Sequence, residues 1–85
     1  MRLTILYFAW VRERIGQAED VVTIPPELVT IADLITWLAA RGGGYAEAMA
    51  APERLRAAID QNFVGLDALL AGAREVAIFP PVTGG

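Results

Sequence analysis

Thr30-Ile31-Ala32-Asp33-Leu34-Ile35-Thr36-Trp37-Leu38-Ala39-Ala40 is the stretch on which the fold turns. Ile31, Leu34, Ile35, Leu38 and Ala39 recur at i, i+3, i+4, i+7 and i+8, the spacing of a single apolar stripe on an amphipathic helix. Thr30 offers an N-cap oxygen, and Asp33 three residues on makes an imperfect capping box. Gly42-Gly43-Gly44 reads as the stop. Tyr45 to Ala50 adds a short helix closed by Pro52.

Outward from this helix the chain reads as strands. Upstream, Arg2 to Ala9 is β-rich, with apolar residues at both parities, which predicts a central strand covered on both faces. Trp10 to Gly16 reads as one short helical turn stopped by Gly16. Glu19 to Ile24 returns antiparallel and ends at Pro25-Pro26. Downstream, Arg56 to Ile59 is a third strand, and Asp60-Gln61-Asn62 is a turn of residues that tolerate left-handed geometry. Phe63-Val64 starts a short fourth strand, Leu66 to Ala73 connects, and Glu75 to Phe79 is the last strand. The order is β-β-α-β-β-β, an α+β domain with a mixed sheet of four to five strands packed on one main helix. One helix cannot cover both faces of such a sheet. The second face is left to solvent or to a partner.

Composition narrows the chemistry. Eighty-five residues make one small domain, and 55 % of them are hydrophobic. A domain of this size buries only roughly 60–65 % of its unfolded surface, so some apolar area is expected as an exposed patch. The sequence contains no cysteine, histidine, serine or lysine, and its seven basic residues are all arginine. Thiol and serine nucleophiles, thiolate or imidazole metal sites, Schiff bases and phosphate-loop lysines are thereby excluded from this chain. A net charge of −3 gives no basic stripe for nucleic acid. No apolar run reaches the roughly 18 residues of a membrane span, and Met1 to Trp10 reads as a strand rather than a signal peptide. A cytoplasmic location is expected.

The last residues, Phe79-Pro80-Pro81-Val82-Thr83-Gly84-Gly85, break this pattern. Two prolines hold the backbone extended and keep it out of the preceding sheet. Two glycines then carry the final carboxylate on a thread without side chains. The expected organisation is a folded domain over 1–79 and an extended, flexible tail over 80–85. Six residues reach at most about 20 Å, enough to cross the wall of another protein's pocket. The α-carboxylate of Gly85 is therefore the expected working group.

Phe8-Ala9 with Val11-Arg12-Glu13, then Asp60-Gln61, then Glu75 through Gly85 resemble the small subunits of molybdopterin synthase, and the resemblance runs over essentially the whole chain. It implies a β-grasp (ubiquitin-like) roll with the first and last strands parallel and adjacent at the centre. It also implies a sulfur carrier. In that family an ATP-dependent activating enzyme adenylates the terminal glycine, and a sulfur donor converts it to a thiocarboxylate. The tail then enters the large synthase subunit and gives its sulfur to cyclic pyranopterin monophosphate, in a heterotetramer of two small and two large subunits. No cofactor or metal is held by the carrier; ATP is used by the activating enzyme.

Carried over residue by residue, the resemblance gives Gly85 and Gly84 the catalytic role. It gives Phe8, Arg12, Phe63, Phe79, Pro80, Pro81, Val82 and Thr83 the contacts with partners. On residue type alone the three phenylalanines read as inward-packed strand aromatics, and Arg12 as a solvated charge. The chain departs from the family where relatives often carry an Asp-Gly-Asp turn before the last strand. Here the stretch is Gly72-Ala73-Arg74, so the resemblance does not supply that turn.

Two other classes remain open. Carriers for thiamine or cysteine synthesis and ubiquitin-like modifiers also end in Gly-Gly on this fold; Phe79-Pro80-Pro81 points to the molybdopterin branch. A non-enzymatic binding module would use the tail as a plug without covalent chemistry. A self-contained enzyme is disfavoured, because no carboxylate pair stands at acid–base spacing and Asp60 and Asp67 read as turn residues.

Overall fold

The computed structural model describes residues 1–81. The strands are β1 (Arg2–Tyr7), β2 (Glu19–Thr23), β3 (Arg56–Ile59), β4 (Asn62–Val64) and β5 (Glu75–Phe79). The helices are α1 (Ala9–Ile15), α2 (Ile31–Ala39) and α3 (Gly43–Ala48), with one 3-10 turn at Pro52–Arg54. The sheet order is β2-β1-β5-β3-β4. β1 and β5 are parallel and central, paired from Thr4 with Glu75 to Tyr7 with Ile78. The other three pairings are antiparallel. This is the β-grasp arrangement expected above.

α2 forms where its stripe predicts, and Ile31, Leu34, Ile35 and Leu38 are all buried against the sheet. Its capping box is complete. The Asp33 amide donates to Thr30 Oγ1 at 3.2 Å, and the Thr30 amide donates to Asp33 Oδ2 at 3.1 Å. The Val29 amide also donates to Asp33 Oδ2, at 3.0 Å. These backbone donors hold the Asp33 carboxyl below its ordinary titration range. The remaining free amides of the first turn are met by the connection before β5. Ile31 donates to the Ala68 carbonyl at 3.1 Å and Ala32 to the Leu66 carbonyl at 2.9 Å. That connection is therefore the docking partner of the helix N-terminus, and it buries Leu70 in the core.

Three local expectations need correction. β1 is central, but only its inward parity, Leu3, Ile5 and Tyr7, is buried; Thr4 and Leu6 are half-exposed on the other face. The second apolar parity thus belongs to an open face rather than to a second core layer. α1 is a full seven-residue helix rather than one turn, closed by Gly16 in the left-handed region at φ 92°. Lastly, Gly43 and Gly44 do not terminate structure; they open α3, after Gly42 breaks the chain at φ 79°. A side chain on Gly44 would collide with the Arg14 carbonyl of α1, so this glycine lets the two short helices pack backbone to backbone.

The turn Asp60-Gln61 has both residues at positive φ, 47° and 73°, between the paired Ile59 and Asn62. It is the two-residue hairpin turn whose twist matches the strands. The turn that the resemblance left open is made by Leu70 to Ala73, with the Ala73 amide donating to the Leu70 carbonyl at 2.9 Å and Gly72 at φ 81°; the residues after it are held by Asp60. Its Oδ1 accepts from the Arg74 amide at 3.1 Å and the Glu75 amide at 2.9 Å, tying the start of β5 to the β3–β4 hairpin.

Candidate functional site

One face of the sheet packs on α2; the other carries the residues singled out in the sequence. Strand register lays them out in rows. Leu6, Ala77, Ala58 and Phe63 lie side by side across β1, β5, β3 and β4. The next row toward the end of β5 pairs Phe79 with Arg56. Phe63 is 81 % exposed and Phe8 46 % exposed, while Phe79 is half-buried. The Phe63 and Phe79 rings meet at 5.7 Å between centroids, tilted by 47°. They meet diagonally across β3, where the intervening outward residue is only Ala58. Beside them lies an open cleft of about 240 Å³ lined by Arg56, Ala57, Phe63, Val64 and Phe79. The inward-packed reading of Phe8 and Phe63 is corrected by these positions: a thin sheet with one helical layer has no second core to receive them.

Phe8 lies between β1 and α1, as the extended N-cap residue of the helix. Its amide donates to the Ile78 carbonyl at 3.3 Å, which fixes it beside the last residues of β5, and its carbonyl accepts from the Arg12 amide at 3.3 Å. Arg12 is exposed one helical turn away. Because β1 and β5 run parallel, Phe8, Arg12 and Phe79 share one pole and Met1 occupies the other. Pro80 is half-buried, Pro81 is exposed, and neither joins a strand, as two prolines after a strand require. Val82, Thr83, Gly84 and Gly85 lie outside the described residues. At the opposite pole from Phe79 and Pro80, Met1, Ile24, Leu28, Val29, Leu69 and Leu70 line a second apolar cavity of about 260 Å³.

Behind the open face, at the β2 side of the core, lies a polar cluster that sequence reading missed. The hydroxyls of Tyr7 and Tyr45 donate to Asp20 Oδ2 at 2.8 and 2.6 Å. Gln17 Nε2 donates to Asp20 Oδ1 and, at 2.9 Å, to the Tyr45 hydroxyl. Arg41 Nη1 stands 3.7 Å from Asp20 Oδ2, with its guanidinium over the rings of Trp37 and Tyr45. Burial, then the hydrogen-bonded Asp20 carboxylate, pushes the Tyr7 hydroxyl far above its ordinary value. Burial and Asp20 raise Tyr45 as well, against the opposing Arg41. The cluster clamps β1, β2 and the ends of α2 and α3 together. The signal was present in the alternation of β2, since Asp20 shares the inward parity of Val22 and an inward carboxylate needs donors.

Among the described residues, the tail pole supplies apolar contact, Arg12 and Arg56, and the root of the tail. It holds no nucleophile paired with a base.

Comparison with known proteins agrees with this geometry. The ThiS family model matches residues 5–85. The chain is 37 % identical over 83 residues to the molybdopterin synthase sulfur carrier subunit of Escherichia coli strain K12, covering 98 % of this chain and 99 % of that protein. It is 35 % identical, with the same coverage, to the molybdopterin synthase sulfur carrier subunit of Haemophilus influenzae. The crystal structure of SAMP1 from Haloferax volcanii superposes with a TM-score of 0.70 over the whole of both chains at 21 % identity, a likeness of fold. With its sheet order, its exposed aromatic pole and a family match that runs through the final glycine, this chain belongs to the ThiS family.

Proposed function

We propose that this chain is the sulfur-carrier small subunit of a molybdopterin synthase, with the Gly85 carboxylate as carrier group and Gly84 as its slender approach. The observation that carries this reading is similarity to molybdopterin synthase sulfur carrier subunits along 98 % of the chain. The chemistry needs nothing the sequence lacks. The carboxylate attacks the α-phosphorus of ATP on an activating enzyme, releasing pyrophosphate and forming an acyl-adenylate. A hydrosulfide equivalent from a sulfur donor then attacks the acyl carbon, AMP leaves, and a proton is released. The product thiocarboxylate is a better nucleophile than the carboxylate and transfers sulfur to a pyranopterin precursor inside the large subunit. This chain binds and presents; the nucleotide site, the acid–base groups and the pterin pocket belong to its partners. Phe8, Phe63 and Phe79 are the apolar contacts of that docking, Arg12 flanks them, and Pro80 to Thr83 thread the tail inward. Two carriers on a dimer of large subunits make the assembly.

The test is intact mass after incubation with the activating enzyme, ATP and a sulfur source. The full chain is expected to gain the mass of one sulfur in exchange for one oxygen, and the charged protein to support dithiolene formation with the large subunit. A chain lacking Gly85 is expected to keep its melting temperature and accept no sulfur. An unchanged mass, under conditions that modify an established carrier, would make the tail a plug and refute this reading.

A further inference from the structure

We propose that Arg56 is a specificity-determining anchor of the docking face, selecting a protein partner that sets a carboxylate beside its apolar socket. The inference rests on the docking role given to this face under the function proposed above.

Arg56 stands opposite Phe79 in the β3–β5 register and lines the same cleft as Phe63 and Phe79. Its guanidinium is held in place. Nη1 donates to the Leu55 carbonyl at 2.8 Å and to the Glu53 carbonyl at 3.2 Å. Nη2 and Nε make no hydrogen bond, and Arg56 no ion pair, among the described residues. Those two nitrogens form the fork that pairs with both oxygens of a carboxylate. A long flexible cation loses side-chain entropy when it docks; one already fixed by two carbonyls loses less.

Only at contact does charge favour this partner. The chain carries ten acidic residues against seven arginines. At long range it therefore repels an acidic surface, and salt screens that repulsion beyond about 10 Å at 0.1 M. A carboxylate brought against the cleft by a docking partner meets a fixed cation beside the Phe63 and Phe79 rings, and the attraction strengthens as the partner displaces water from them. Glu75 lies in the Thr4 row of this face and Glu19 in the Leu6 row that also carries Phe63, and exposed Glu53 precedes Arg56 by three residues without an ion pair to it among the described residues. An apolar partner surface lacking a carboxylate would leave Arg56 desolvated and unpaired.

The experiment measures the dissociation constant of the full-length chain and the large subunit at low and moderate salt, for the parent, Arg56→Met, Arg56→Lys and Phe63→Ala. Arg56→Met keeps the apolar stem and removes the charge. It is expected to weaken binding by about tenfold at low salt and to flatten the salt dependence, an effect within the range of charge pairs at interfaces. Arg56→Lys is expected to recover part of the loss. Parent-like affinity and salt dependence in Arg56→Met, with Phe63→Ala weakened, would overturn the role of Arg56 while leaving the docking face intact. Parent-like affinity in both would remove the docking face itself. A free chain that self-associates, and loses that association with Arg56→Met, would assign the cleft to a second copy and overturn the proposal.

Discussion

Single residues set the tightest constraints in this molecule. Gly44 is the clearest. α1 and α3 approach so closely that the first carbon of any side chain there would occupy the place of the Arg14 carbonyl. In an open helix, Gly→Ala stabilises by roughly 0.5–1 kcal/mol. At this contact, overpacking against backbone works the other way, typically by about 1–3 kcal/mol. Gly44→Ala is therefore expected to lower the urea midpoint without changing the slope. A midpoint equal to or above that of the parent would mean the two helices slide apart freely. Asp60 is constrained differently. It adopts positive φ in a hairpin turn and caps two amides of another segment, roles that Asp fills at lower cost than most residues.

Between elements, the Asp20 cluster is the chief polar join, and it predicts a pH dependence. The sequence has no lysine or cysteine, so its two tyrosines are the only side chains that titrate between about pH 9 and 12. In the unfolded chain they ionise near pH 10. In the folded chain burial and Asp20 keep Tyr7 protonated well beyond that. Above about pH 10 the unfolded state thus binds fewer protons than the folded state. Stability is fully present below that pH and is lost as pH rises. The fall due to Tyr7 is at most about 1.4 kcal/mol per pH unit. Denaturant midpoints between pH 8 and about 12 are expected to decline for the parent and to decline less steeply for Tyr7→Phe. Equal slopes for the two proteins would show that Tyr7 ionises in the folded state as it does in water.

At the scale of the molecule, one helical layer on a five-stranded sheet leaves a whole face uncovered, and the aromatic residues of that face collect at the pole where the tail begins. Phe63 is the most exposed aromatic residue among those described. At 81 % exposure it adds little to the fold. Phe63→Ala is expected to change unfolding free energy by less than about 0.5 kcal/mol. The same substitution is expected to weaken docking by about 2 kcal/mol, the scale of a buried interface anchor. Calorimetric titration with the large subunit, beside a thermal melt of the free chain, separates the two effects. A melt that drops sharply with docking unchanged would return Phe63 to the core. The polarity of the molecule follows from topology: parallel β1 and β5 put the chain start and the tail root at opposite ends, so a partner can hold the tail pole while the Met1 pole stays clear.

The sequence by itself determined α2, both ends of β3 and β5, the hairpin turn, and the class of the fold, because each rests on local spacing or local backbone preference. Ile31, Leu34, Ile35 and Leu38 lie within one helix, and their periodicity is readable without knowing what they touch. It also determined that no side chain of this protein is a thiol, imidazole or amine. The family resemblance supplied strand order, which local pattern does not encode. Tertiary structure alone decided which apolar residues stay outside. Phe8 and Leu6 read like core residues because a strand's two faces look alike in sequence; only the presence of a single helical layer makes one face inner. It also decided that Asp20, Tyr7, Gln17, Arg41 and Tyr45 meet, and that Gly44 is a point of contact rather than a stop. Those are long-range coincidences, and burial is set by neighbours that a local pattern cannot see.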